Sequence, residues 1–159
     1  MTENQIISAD DNVDQIDCLL VPLNDRNLII PNVTVAEVVP FSHLLTTNSS
    51  RDWIIGRLDW RGTLVPAICY ELMSGHVAPP PNPDARFIIV NGLDGSAQIP
   101  FYAILVQGIP KLMHINEADL QEVDAIKMGM FDDAMVTLEG VGAIIPKIRL
   151  LESHLAQHL

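Results

Sequence analysis

The sequence predicts a mostly β domain with a short C-terminal helix. Apolar runs of strand length recur along the chain, and clusters of turn-forming residues separate them. Two separators, Arg61-Gly62 and Glu139-Gly140, are only two residues long, which favours tight hairpins. From Pro146 onward, apolar residues recur at helical spacing, which indicates an amphipathic helix.

The first hairpin is predicted from apolar runs at residues 18–23 and 28–39. Between them lie residues 24–27 (Asn-Asp-Arg-Asn), whose side chains favour turns through local hydrogen bonds. A polar connection, residues 42–52, leads into the second hairpin.

The second hairpin, residues 53–73, turns at Arg61-Gly62, where glycine reaches positive φ at little cost. Alternation predicts an inner face and a charged outer face for its first strand. Pro66 has no amide donor, so its strand is expected to be an edge there. The inner face is predicted to hold Ile54, Gly56, Leu58 and Trp60, the outer face Ile55, Arg57, Asp59 and Arg61, and the apolar side after the turn Leu64, Pro66, Ile68 and Tyr70.

Beyond residue 73, a proline-rich connector at residues 74–84 is expected to separate two halves, because its prolines favour an extended, exposed chain. The later predictions are strands at 86–91 and 99–106, a turn at 92–96, a helical turn at 116–120, and a hairpin pairing 135–138 with 141–145.

The chain ends are predicted separately from the domain. Residues 1–15 are polar and acidic, which predicts a flexible tail. Residues 16–152 form the expected domain, and 153–159 the end of the last helix.

Charge and hydropathy exclude several classes of function. Acidic residues number 20 against 9 basic ones, a formal charge of -11, and this field repels nucleic acids and anionic lipids. Neither a membrane-spanning run nor a signal peptide is recognisable, so a cytoplasmic protein without direct membrane insertion is expected. Cys18 and Cys69 lie in apolar strands, where buried free thiols are expected.

Candidate catalytic residues are sparse. There is no nucleophile elbow, Walker loop or Cys-x-x-Cys pair. His154 and His158 have a metal-compatible spacing but no third ligand nearby in the sequence, and frayed terminal histidines are the simpler interpretation. Asp132-Asp133 and Asp10-Asp11 are interpreted as solvated charges. We therefore expect neither an enzyme nor a cofactor or metal site.

Four segments resemble the CheW-like family of scaffold proteins. Residues 56–66 follow that family's pattern of Gly, any, apolar, Asn, apolar, Arg, Gly, any, two apolar residues and Pro. Residues 35–39 resemble its Val-any-Glu-apolar-apolar segment, and residues 103–112 and 144–151 resemble later segments more loosely. The likeness spans about residues 16–152. The departures from the family pattern are Asp59, Ala103, Gln107 and Pro146.

The resemblance implies a fold, a function and partners. The expected fold is two small five-stranded SH3-like β-barrels on a shared apolar core. The expected function is that of a non-catalytic adaptor, which joins the cytoplasmic tip of a chemoreceptor to the regulatory domain of a CheA-type histidine kinase. Such an adaptor would be recruited to membrane receptor arrays, in flagellar chemotaxis or in a type IV pilus pathway.

Residue by residue, the resemblance nominates a partner-binding set. Arg61 is by composition only a solvated charge, but its planar fork suits contact with carboxylates or carbonyls. Glu37 has the same two interpretations, whereas a plain structural role is at least as reasonable for Val35, Gly56 and Gly62. The resemblance implies that Ile109 contacts a receptor helix in the groove between the halves, with Arg61 and Glu37 at the polar rim. Asp59 could simply balance the neighbouring arginines. The full set is Val35, Glu37, Gly56, Asp59, Arg61, Gly62 and Ile109.

Two other classes of function stay open from the sequence. An unrelated β-barrel module could bind a peptide at an exposed edge strand near Pro66, and a single barrel would favour that hypothesis. A small hydrolase or metal enzyme would need a pocket that joins Cys69 or the histidines to a base.

Overall fold

A computed structural model describes residues 15–93, 98–123 and 128–159. The predicted tail lies outside the described residues except for Gln15, which already belongs to the first strand. The predicted turn at 92–96 also falls largely outside them, as does Asp10-Asp11. No helix among the described residues is long and apolar enough to cross a membrane.

The described chain is built from strands with two α-helical segments. The strands are β1 (Gln15–Pro22), β2 (Asn27–Pro31), β3 (Val35–Pro40), β4 (Ile54–Trp60), β5 (Thr63–Ile68), β6 (Arg86–Asn91), β7 (Phe101–Val106), β8 (Lys111–Asn116), β9 (Gln121–Val123), β10 (Asp132–Leu138) and β11 (Val141–Pro146). The helices are α1 (Tyr70–Met73) and α2 (Ile148–Gln157), and short 3-10 turns cover Asn32–Thr34 and Glu117–Asp119.

The strands form two sheets. One has the order β8-β1-β2-β11-β10-β9, and the other has the order β3-β6-β7-β5-β4. This confirms the predicted mostly β fold, with two SH3-like subdomains and a short C-terminal helix. The first sheet contains six strands instead of the expected five, because the three-residue β9 pairs with β10.

The two subdomains are not successive halves of the chain. The apolar run 28–39 is divided between the sheets: β2 ends at Pro31, the chain turns through Asn32–Thr34, and β3 joins the other sheet. Thr34 stabilises this turn by donating its hydroxyl to the Pro31 carbonyl at 2.7 Å. The connector 74–84 leads from α1 to β6, within the five-stranded subdomain, so the boundary between sheets does not fall there.

Alternating side chains build a core shared by both subdomains. In β6, Phe87 and Ile89 point into the interior of the five-stranded sheet, whereas Ile88 and Val90 point into the shared core. β1 and β2 divide their apolar residues in the same way on the other side. Each sheet is therefore apolar on both faces along its central strands.

Helix α2 covers the shared core. Leu151 and Leu155 are completely buried and Ile148 packs beside them, as their helical spacing predicts. The helix begins at Ile148, two residues later than expected, because Pro146 is the last residue of β11.

The predicted faces of β5 are wrong. A two-residue turn places Leu58 opposite Val65 and Asp59 opposite Leu64, and residues paired across antiparallel strands share a face. Val65 is therefore buried while Leu64 is exposed. The expectation of a free side at Pro66 fits better, since β5 pairs with β7 only from Ala67 onward.

Two sets of residues expected at the surface are packed instead. Asp132 is buried, where it accepts hydrogen bonds from Tyr70 and Arg26. His154 and His158 are not frayed, because both rings pack against Trp53 at centroid distances of 5.2 and 5.7 Å. These side chains are packed because they contact residues that are far away in the sequence.

Candidate partner-binding surface

The turn between β4 and β5 presents Arg61 at the tip of a hairpin. Arg61 and Gly62 have φ angles of 52° and 79°, as a type I′ turn requires at both central residues. The Asp59 carboxylate accepts a hydrogen bond from the Gly62 amide at 3.1 Å. Asp59 thus supports the turn, and the carbonyl of an asparagine could accept the same bond, which explains how the two residues can exchange here.

Glu37, Trp60 and Arg61 form a cluster that joins the two edge strands of the five-stranded sheet. Glu37 on β3 accepts a hydrogen bond of 2.7 Å from the Trp60 indole, at the end of β4. Its same oxygen lies 3.2 Å from the Arg61 guanidinium, which is also 5.5 Å from the centre of the Trp60 ring. Because β3 and β4 are the two ends of the strand order, these contacts close the sheet into a barrel.

The cluster combines a fixed base with an exposed tip. Trp60 packs on Phe101 at 4.9 Å, which anchors it on the barrel. The Arg61 side chain remains 72% exposed and that of Glu37 36% exposed. An ion pair so exposed contributes under about 1 kcal/mol to stability, so it adds little to folding. The Arg61 guanidinium has five N–H donors, and Nε and Nη2 are the two nitrogens that lie 3.2 Å from Glu37 Oε2.

Val35 lies beside this cluster but has a different environment. It begins β3 opposite Val90 and packs against the shared core, while remaining half-buried. A bulge between Val35 and Glu37 inserts one extra residue into β3. The side chains of Val35 and Glu37 are therefore both half-buried near the start of β3.

Gly56 has the structural role that its place in an apolar strand indicated. A bulge between Ile54 and Gly56 brings the backbone against residues 44 and 45, and Leu45 exchanges backbone hydrogen bonds of 2.8 and 2.9 Å with Arg57. A Cβ on Gly56 would lie 2.7 Å from the Leu45 carbonyl oxygen. Only glycine fits this approach.

Ile109 lies apart from the Arg61 cluster, on the link from β7 to β8 that crosses between the two sheets. Its side chain is 72% exposed. Two hydrogen bonds hold the link in place. The backbone N–H of Gln107 donates to the Pro22 carbonyl at 2.8 Å, and the Asn82 side chain donates to the backbone carbonyl of Gln107 at 3.0 Å.

An apolar groove beside this link was missed by sequence reasoning. The proline-rich connector forms one wall, and Phe41, Ala85, Leu105 and Gln107 complete a cavity of about 530 Å³. The run of prolines at 79–83 was the available signal, but it identified only an extended connector. The groove exists because the connector folds back along the five-stranded subdomain.

The two cysteines are buried free thiols, as expected from the sequence. Burial raises the pKa of the Cys69 thiol to about 11, with Glu71 adding to the effect, and such a thiol is a poor nucleophile at neutral pH. Burial also raises the pKa of Cys18. Within the described parts of the chain, no group of three or more His, Cys, Asp or Glu residues is placed to hold a metal ion.

Comparison with known proteins agrees with this architecture. The family model of the CheW-like domain matches residues 17–153, which is most of the chain. The chain is similar to the scaffolding protein TtCheW from Thermoanaerobacter tengcongensis, whose crystal structure superposes with a TM-score of 0.70 at 19% identity, over 83% of this chain and 88% of that one. The curated proteins contain no match. Two sheets and a family match also remove the hypothesis of an unrelated single barrel. The chain therefore belongs to the CheW-like domain family, a family of non-catalytic scaffold adaptors in chemotaxis.

Proposed function

We propose that this chain couples the cytoplasmic tip of a chemoreceptor to the regulatory domain of a CheA-type histidine kinase. The observation that carries the proposal is the Glu37-Trp60-Arg61 cluster, an exposed charged tip held on a rigid barrel end. Both charged members occupy positions that match the family motifs. The chain performs no chemistry in this role.

The kinase is the partner we assign to the Arg61 cluster. A regulatory domain of related barrel architecture would meet the barrel end that carries the hairpin tip, in a barrel-to-barrel contact. Arg61 can donate to carboxylates or carbonyls of that domain while Glu37 and Trp60 fix its direction. Gly62, Asp59 and Gly56 act indirectly by shaping the hairpin.

The receptor is the partner we assign to the seam between the subdomains. Ile109 is an exposed apolar anchor on that seam, and a receptor helix could place its own apolar side chains against it. Joining both partners on one scaffold links a change in receptor conformation to the population of active kinase. We place the protein in the cytoplasm, recruited to receptor arrays, in either a flagellar or a type IV pilus pathway.

The test is calorimetry of the full chain with the kinase regulatory domain and, separately, with a receptor tip fragment. Arg61→Asn is the sharpest variant, because asparagine tolerates the positive φ of the turn while the guanidinium and most of the aliphatic stem are removed. We expect Arg61→Asn and Glu37→Gln to weaken kinase binding about tenfold, which is about 1.4 kcal/mol. Ile109→Ser should weaken receptor binding and leave kinase binding unchanged.

Arg149→Gln is the matched control, since it removes an exposed cation from α2, away from the cluster. Unchanged kinase affinity in Arg61→Asn would contradict the assignment of the cluster. If the wild-type chain binds neither partner, the coupling function itself is wrong.

A further inference from the structure

A second cavity, of about 730 Å³, lies on the five-stranded subdomain where the loop 47–51, strand β4 and the C-terminal end of α2 meet. Arg51 and Arg57 line it together with Ser49 and His158. Gly56, a member of the partner-binding set, also lines this cavity, whereas Glu37, Arg61 and Ile109 do not. The cavity is thus separate from the Arg61 cluster on the same subdomain.

Positive charge is concentrated at this cavity in an otherwise acidic chain. The whole sequence has 9 Lys and Arg against 20 Asp and Glu, yet two arginines line this one cavity. Arg57 donates to the Thr46 carbonyl at 3.3 Å, and the ion pairs among the described residues involve neither Arg57 nor Arg51. Both arginines line the cavity, and neither is held in an ion pair among the described residues.

Two histidines at the C-terminal end of α2 lie beside the arginines of this cavity. The pKa of His154 is lowered, first by burial and then by His158 and Arg51. The His154 and His158 rings are 4.6 Å apart, and His158 lines the cavity. Arg51 from the loop and the two histidines at the helix end thus lie in one region, where an anionic ligand would offset the arginine charge.

One wall of the cavity is apolar and follows β5, whereas Thr47, Asn48, Ser50, Gln98 and Gln157 make much of the remaining lining polar. Ile54 is buried at its base, Leu64 is exposed, and Pro66 lies next to it along β5. Arg57 is paired with Pro66 across the hairpin, so cationic and apolar groups stand side by side. No Phe, Tyr or Trp ring is among the described lining residues, which disfavours a ligand held by base stacking.

We propose that this cavity binds an extended acidic segment of a partner protein, with carboxylates at Arg51 and Arg57 and apolar side chains against Leu64 and Pro66. Bidentate pairing of arginine with carboxylates supplies direction, and the apolar contacts select a mixed sequence over a purely charged one. The proposal does not depend on which proteins the chain couples.

The test is fluorescence anisotropy of the full chain with a labelled synthetic peptide that repeats Glu-Leu-Asp-Ser. We expect binding that Arg51→Gln/Arg57→Gln weakens about tenfold or more, and that Leu64→Ser weakens less. The control Lys147→Gln/Arg149→Gln removes the same charge from exposed residues outside the cavity, and it should change the affinity by less than about twofold. A peptide with Gln and Asn in place of Glu and Asp should not bind.

Three results would overturn the proposal. The first is no binding of the acidic peptide to the wild-type chain. The second is equal loss in the two double variants, which would indicate only long-range attraction. The third is displacement of the peptide by millimolar inorganic phosphate alone, which would indicate a small-anion site.

Discussion

Asp132 has a side chain with no solvent exposure, and three donors surround its charge. Arg26 approaches at 3.0 Å, the Tyr70 hydroxyl at 2.7 Å and the Gly129 amide at 2.7 Å. These donors come from the β1-β2 turn, from α1 and from the segment before β10. Burial, with Asp132 beside it, raises the pKa of Tyr70 far above its usual range. One carboxylate thus ties the two subdomains together.

Asp132→Asn should lower the free energy of unfolding by about 3 kcal/mol, because it leaves Arg26 without its buried partner. Urea denaturation followed by circular dichroism measures the loss. Asp133→Asn is the matched control, since Asp133 is exposed, and it should change the value by less than about 0.5 kcal/mol. Equal effects in the two variants would contradict a buried network.

His154 should make stability depend on pH in the acidic range. Its pKa is lowered in the folded protein, so the unfolded chain binds the proton more readily, and stability falls as the pH drops below about 6.5. His154→Gln should flatten this slope in urea titrations at several pH values. His43→Gln, an exposed histidine, should leave it unchanged, and an unaltered slope in His154→Gln would assign the effect to other groups.

Single residues show which contacts the sequence could predict. The resemblance nominated Glu37 and Arg61, but their mutual contact spans 24 residues and became visible only in the folded barrel. The adjacent pair Asp132-Asp133 is interpreted from the sequence as solvated charges, whereas Arg26, which pairs with the buried Asp132, is 106 residues away. The local sequence pattern does not show that a residue is buried when its partners lie this far away in the chain.

At the level of elements, the hairpin β4-β5 depends on two glycines for different reasons. Gly62 has a φ of 79° and open space where a Cβ would lie, whereas Gly56 has a φ of 150° and a Cβ there would meet Leu45 and Leu44 at once. The first glycine satisfies a turn angle, and the second permits the close approach that the bulge creates.

Gly56→Ala should therefore destabilise the protein by about 3 kcal/mol or more, because strain and overlap with the backbone of Leu45 add together. Gly62→Ala should cost about 1 kcal/mol, for the left-handed φ alone. Gly142→Ala, in open space on β11, is the control and should be nearly neutral. Urea midpoints rank the three variants, and a larger loss for Gly62→Ala would contradict this order.

At the level of elements, the sequence predicts the tight turns correctly but not the faces of the strands. Both two-residue turns have positive φ at each central residue, as their glycines indicated. Alternation counted through the turn predicts the wrong faces for β5, because the pairing register of the hairpin decides which residues share a face. Apolar periodicity predicts one strand for the run 28–39, because it does not show that the chain changes sheets after Pro31.

At the scale of the whole molecule, the two subdomains share their chain segments as well as their core. Strands β1 and β2 precede the entire five-stranded sheet, and β8 to β11 follow it, so the six-stranded subdomain is not a continuous segment. The central strands supply both sheets' interiors and the core between them. Only the family resemblance predicted two subdomains, because periodicity identifies strands but not the sheet that each strand joins.

This arrangement should make the protein unfold as one cooperative unit. Ile29 is buried in the interior of the six-stranded sheet and Ile89 in that of the five-stranded sheet. In a Trp53→Phe background, Trp60 remains as a fluorescent probe on the five-stranded barrel. Ile29→Ala should shift the Trp60 transition to lower urea by an amount corresponding to about 2–5 kcal/mol, as Ile89→Ala does. Circular dichroism should report the same midpoint in each variant.

If Ile29→Ala lowered stability by circular dichroism while the Trp60 transition stayed in place, the subdomains would unfold independently. The shared core would then not couple them, and a change at the seam could not reach the Arg61 cluster through the fold.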